Sequence, residues 1–97
     1  MYTSIRHYQF KPGTVVEVSR RVQEHFIPVI SQAPGFIAYY VVTEENDKAT
    51  SISIFESQAQ AEASIQLAAE WVKKLLAELV VGPPTIHSGE ITVAKER

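Results

Sequence analysis

Pro34-Gly35-Phe36-Ile37-Ala38-Tyr39-Tyr40-Val41-Val42 is a turn followed by a strand that has no polar face. Pro34-Gly35 supplies the turn, because proline presets its own φ and glycine accepts a positive one. From Phe36 onward the side chains alternate between two sides. Phe36, Ala38, Tyr40 and Val42 share one side; Ile37, Tyr39 and Val41 share the other. A strand with one wet face alternates apolar and polar residues. This one does not, so both faces of its sheet are predicted to be covered.

Upstream, residues 3–10 alternate as well, with Ile5, His7 and Gln9 on one side and Ser4, Arg6, Tyr8 and Phe10 on the other. Lys11-Pro12-Gly13 ends that strand. Thr14 and Glu17 have the spacing of a capping box, and a helix is predicted from there to about Ser31. Val15, Val18, Val22, Phe26 and Val29 make its apolar stripe, and Pro28 predicts a kink near its end. Downstream, Glu44-Glu45-Asn46-Asp47-Lys48 reads as a hairpin loop with Asn46-Asp47 at the tip. A strand over residues 49–55 follows. Ser57 is placed to cap a second helix with the stripe Ala61, Ile65, Ala68, Val72, Leu75, Leu76 and Leu79. Gly82-Pro83-Pro84 stops that helix, and a fourth strand is predicted over residues 85–94, with Ile91 and Val93 on its apolar side.

The order is β-α-β-β-α-β in one domain, residues 1–97. Two helices that each follow a strand must bury their stripes on one face of a four-stranded antiparallel sheet. The fold predicted is α+β, ferredoxin-like. Its second face still carries bulky apolar groups. Such a patch marks an interface, and two-fold closure of two sheets is the commonest solution. A homodimer is therefore expected, closing as a dimeric α+β barrel.

Composition excludes several classes. The chain has 97 residues, 45% of them hydrophobic and 21% charged. A chain this small buries roughly 60–65% of its extended surface and gains from oligomerisation. Nine Lys and Arg against eleven Asp and Glu give a net charge of −2, and the cations are scattered. Nucleic-acid binding needs clustered positive charge, so no nucleic-acid partner is expected. There is no cysteine, which removes disulfides and thiolate chemistry. The first residues lack the apolar core of a signal peptide, and no apolar run has the length of a membrane span. No membrane partner is expected, and the expected location is the cytoplasm.

Tyr8-Gln9-Phe10-Lys11-Pro12-Gly13, the Pro-Gly-Phe turn with its Tyr39-Tyr40 strand, Ser51-Ile52-Ser53-Ile54-Phe55-Glu56-Ser57, and Gly89-Glu90-Ile91-Thr92-Val93 follow one another in an order that resembles the antibiotic biosynthesis monooxygenase (ABM) type of the dimeric α+β barrel superfamily. The likeness covers nearly the whole chain. It implies the fold above and a range of activities: oxidation of aromatic substrates without metal or flavin, haem degradation, chlorite decomposition, lactone isomerisation, or none. The haem degraders of that superfamily use an asparagine, a tryptophan and a histidine. The matching places here hold Arg6, Ser64 and Lys74, so haem degradation is not expected. The resemblance implies a cofactor-independent monooxygenase-like protein acting on a small aromatic or enolic substrate. The alternative is a non-catalytic dimer that binds a small molecule or serves as a structural module.

Candidate residues follow from chemistry. His7 and His25 are the candidate proton acceptors, since imidazole titrates near neutrality; each reads equally as a satisfied structural histidine. Arg6, Tyr39, Tyr40, Trp71 and His87 are candidates for a substrate pocket between helices and sheet. Arg6 either binds an anionic group or pairs with a carboxylate such as Glu90. Trp71 lines a pocket or fills the core. Tyr39 and Tyr40 must point to opposite faces. Lys73-Lys74, with Glu70 and Glu78, read as a solvated helix face. Three dispersed histidines make no metal motif, and no cofactor or metal site is expected.

Overall fold

The computed structural model describes residues 1–97. Its elements are β1 (Tyr2–Gln9), α1 (Val15–Arg21), a π-helical turn (Val22–Phe26), α2 (Ile27–Ile30), β2 (Phe36–Glu44), β3 (Lys48–Phe55), α3 (Gln58–Leu75) and β4 (Thr85–Glu90). The strands form one antiparallel sheet in the order β2-β3-β1-β4. This is the ferredoxin-like βαββαβ arrangement, with both helical segments on one face.

The first helix runs on through α1, the π-turn and α2. Pro28 has no N–H for the carbonyl four residues back, and its ring crowds that carbonyl. The ladder loosens just before it, where the Ile27 N–H bonds to the Val22 carbonyl, five residues back. The expected kink is thus taken up as a π-turn. Thr14 does not cap this helix through its side chain. Its hydroxyl donates instead to the Lys11 carbonyl at 2.7 Å. Glu17, its expected partner, accepts from Arg20 and Arg21.

Ser57 does cap α3. Its hydroxyl accepts from the Gln60 N–H at 3.3 Å, and Gln60 Oε1 accepts from the Ser57 N–H at 3.2 Å. The Pro-Gly turn is locked into this cap. Gly35 has φ +75°, where a side chain is strained, and a Cβ there would lie 1.8 Å from Gln60 Oε1 and displace it from the cap. Asn46 and Asp47 both have positive φ, the signature of a tight hairpin tip at the expected place.

Two expectations are corrected. The buried face of α3 is Ala61, Ser64, Ala68 and Trp71, while Leu75 is 37% exposed. Small residues on that face let the helix approach the sheet closely. The apolar stripe misread it because Ser64 looks polar and is buried. The fourth strand stops at Glu90, not at residue 94. Glu90 pairs with Tyr2, the Ile91 N–H still donates to the Met1 carbonyl at 2.9 Å, and Val93 beyond it is 90% exposed.

The register sorts the sheet into rows. Facing the helices are Val41-Ser51-Arg6-Ile86 and Tyr39-Ser53-Ser4-Ser88. On the other side are Tyr40-Ile52-Ile5-His87 and Val42-Thr50-His7-Thr85. The main core lies between the first row set and the helices, and includes Phe10, Val18, Phe26, Ile30, Phe55 and Trp71. No helix is long and apolar enough to cross a membrane.

Candidate functional site

The middle of β1 places a guanidinium inside this core. Arg6 is only 2% exposed. Its Nε–H donates to Ser51 Oγ at 3.1 Å and its Nη1–H to the Ser64 carbonyl at 3.4 Å. Nη2 has no partner. Ser51 is the cross-strand neighbour of Arg6, and Ser64 lies on the small face of α3. Strand register and helix composition together make the room. The expected pairing with Glu90 does not form, because Glu90 stands opposite Tyr2 and Arg6 stands opposite Ile86. A guanidinium keeps its proton in proteins, and an uncompensated charge in the interior costs several kcal/mol.

Two cavities meet at this residue. The inner one, of about 30 Å³, lies between helices and sheet and is lined almost wholly by apolar and aromatic groups, among them Phe26, Tyr39 and Trp71. That is room for about one water-sized guest. The outer one is a groove of about 210 Å³ between α3, β1 and the Gly82-Pro83-Pro84 segment. Arg6, Tyr8 and Val72 line both. Lys73 lines the groove, and no aspartate or glutamate lines either cavity.

The inner wall is aromatic. Phe26 stands 5.0 Å from Trp71 and 5.5 Å from Tyr39, ring centre to ring centre. Trp71 Nε1 is buried without a hydrogen-bond partner, a second unused donor in the same cavity. Burial pushes the Tyr39 phenol up to about 12, with the Arg6 charge acting against that rise. Burial also raises the Tyr8 phenol, again opposed by Arg6. Both phenols therefore remain neutral donors at ordinary pH.

Of the expected site residues, Arg6, Tyr39 and Trp71 come together. The other four do not. His7 lies on the opposite sheet face, where its Nδ1 is 3.0 Å from Thr50 Oγ1. Alternation puts it there, since its neighbour Arg6 points to the helices. His87 is beside it, with ring centres 5.6 Å apart. His25 is exposed on the first helix, 3.9 Å from Glu24. Tyr40 is 57% exposed, away from the helices. A histidine acting on a ligand held between helices and sheet is thus corrected on position: none reaches that space. No group of three or more His, Cys, Asp or Glu converges in the geometry of a metal site.

Sequence reasoning missed Ser51, Ser64 and Lys73. The available signal was the serine set Ser4, Ser51 and Ser53 on the strands, facing Ala61, Ser64 and Ala68 on α3. Small polar residues on both walls of a core leave space for a long side chain between them.

The chain was compared with known proteins. The family model described as antibiotic biosynthesis monooxygenase matches residues 1–77. No curated protein sequence matches significantly. Among solved structures, a protein of unknown function from Nitrosomonas europaea superposes with a TM-score of 0.83 at 18% identity, covering 99% of this chain and 93% of that one. A putative antibiotic biosynthesis monooxygenase from Bordetella bronchiseptica gives 0.78 at 17% identity, with 95% and 97% covered. A monooxygenase from Streptomyces coelicolor, solved in complex with nanaomycin D, gives 0.78 at 15% identity, with 99% and 91% covered. Likeness at these identities establishes a shared fold.

Proposed function

The chain belongs to the antibiotic biosynthesis monooxygenase family, and from that premise we propose that it binds a small aromatic or enolic anion at Arg6 and exposes it to dioxygen without metal or flavin. The observation that carries this reading is Arg6 itself: buried, charged, with Nη2 unused and no carboxylate around it. A negatively charged oxygen on a ligand supplies the missing counter-ion. The groove walls Ile65, Val72, Val80, Pro83 and Ile86 suit the faces of a planar ring. The ring lies in the outer groove, and the inner apolar cavity has room for a diatomic gas.

The reaction balances simply. A ring methylene beside a carbonyl loses one proton to solvent as it ionises to the enolate, and its second hydrogen after dioxygen adds to that carbon. It gains one oxygen atom of dioxygen as a carbonyl, and the other oxygen leaves as water. Neither cavity presents an imidazole or carboxylate to take the first proton, and Tyr39 holds its own proton until about pH 12. The substrate therefore ionises under the Arg6 charge, which favours enolate over enol.

The working unit is read as a homodimer closed through the other sheet face, where Tyr40, Ile52, Ile5 and Val42 present an apolar surface. The lack of a base around Arg6 also favours a second reading, a dimer that binds such anions without turning them over. An oxygen electrode with 1,3-indanedione and 2-tetralone, two-ring compounds that each carry an enolisable ring methylene, separates the two. Uptake above the spontaneous rate, lost in Arg6→Gln, is expected of the oxygenase. Binding seen by Trp71 fluorescence without uptake selects the binder, and failure of either compound to bind removes both readings.

A further inference from the structure

The outer groove carries more positive charge than one enolate needs. Arg6 and Lys73 both line it, with no acidic side chain among its lining residues, although the whole chain has a net charge of −2. Positive charge is thus concentrated where the chain as a whole is negative. The groove is also small. A cavity of about 150 Å³ holds one benzene ring, so about 210 Å³ accommodates one ring with substituents or two fused rings. Ile65, Val72, Val80, Pro83 and Ile86 give it apolar walls.

We infer that the groove recognises a hydroxyaryl carboxylic acid of one or two rings, whose carboxylate lies between Arg6 and Lys73 while its ring packs against the proline and aliphatic walls. This rests on the reading of Arg6 given under the proposed function and narrows it from anions in general to ring acids. Arg6 contributes a buried charge, so its bond to a carboxylate is the stronger one. Lys73 is exposed on α3, so its share is smaller and screened by salt.

The test compares 1-hydroxy-2-naphthoate with 1-hydroxy-2-naphthamide, which keeps the rings and the hydroxyl and removes the charge. Trp71 is the only tryptophan of the chain and lines the inner cavity next to the groove. Its fluorescence is therefore a binding signal independent of any turnover. The acid is expected to bind at least about tenfold more tightly than the amide, the range of a hydrogen bond to a charged group. Lys73→Gln, a change on an exposed helix position, should narrow that ratio by about two- to fivefold, and raising salt should narrow it further in the parent chain than in the variant. Equal binding of acid and amide overturns the inference while leaving the wider anion reading to the oxygen experiment. An acid preference that ignores Lys73 and salt overturns the placement of the carboxylate. If neither compound binds, the inference falls together with the reading beneath it.

Discussion

The two faces of the sheet differ most in their middle rows. The face covered by helices carries Ser4, Arg6, Ser51 and Ser53 in its middle rows. The uncovered face carries Ile5, Ile52, Tyr40 and Val42. Burial usually follows the opposite rule. On the reading proposed above, each face awaits a different occupant. The inner face lacks a negative charge, and the outer face lacks an apolar partner.

The largest expected effect breaks the outer face. Ile52→Asp puts a carboxylate in the centre of the row Tyr40-Ile52-Ile5-His87. An unpaired charge buried in an interface costs roughly 3–5 kcal/mol. Light scattering is expected to report a dimer for the parent chain and a monomer for the variant. A parent that is monomeric at micromolar concentration ends the comparison on that side.

Next comes the inner face. Arg6→Met keeps most of the side-chain volume and removes the buried charge. Replacing a buried ion by a well-packed apolar group is neutral or stabilising by about 1–4 kcal/mol. Thermal unfolding is expected to show a melting temperature at or above that of the parent, with binding of anions lost. A strongly destabilised Arg6→Met would mean that the guanidinium is there to hold the fold, not a ligand.

A smaller effect sharpens the description of the cavity. Because burial raises the Tyr39 phenol to about 12 from 10.0, the unfolded chain ionises first as the pH climbs. The stability associated with neutral Tyr39 is complete below pH 10 and is lost between pH 10 and about 12. Tyr39→Phe should flatten this part of the alkaline denaturation curve. Smallest is the exposed ion cluster on the first helix. The hydrogen bond from Arg20, and then that from Arg21, lowers Glu17 from 4.5 to about 2. Its contribution is present above pH 4.5 and fades as the pH falls towards 2. Glu17→Gln should remove that acid-side slope, and high salt should mask it.

The strand faces were legible from alternation alone: Tyr39 and Tyr40 do part, and Arg6 and Tyr8 do share a side. The hairpin tip and the Ser57 cap were legible because both depend on a few adjacent residues. Which face the helices cover was not. The apolar row of Ile5 and Ile52 is the better core by composition, and His7 lies on that side. What reverses the choice is the small face of α3. Ala61, Ser64 and Ala68 are individually unremarkable, and they matter only once they are set against Ser51 and against Arg6, which is 58 residues from Ser64 in sequence. Cavity volume and an unpaired donor are properties of that packing, which is why Lys73 read as an ordinary solvated cation.

The π-turn at Val22–Phe26 holds one residue more than an α-helical path needs. Such turns behave as single-residue insertions, and each residue of an α-helix turns the chain by about 100°. Removing Gln23 would let the helix close into a regular spiral with the turns on either side keeping their facing, whereas removing a residue from α1 outside the π-turn would swing the N-terminal part of the helix by about 100° relative to Phe26, which stands against Trp71 and Tyr39. The aromatic wall of the cavity is thus keyed to a residue count as much as to residue identity. A chain shortened by one residue in α1 would therefore be expected to keep the fold and change its interior.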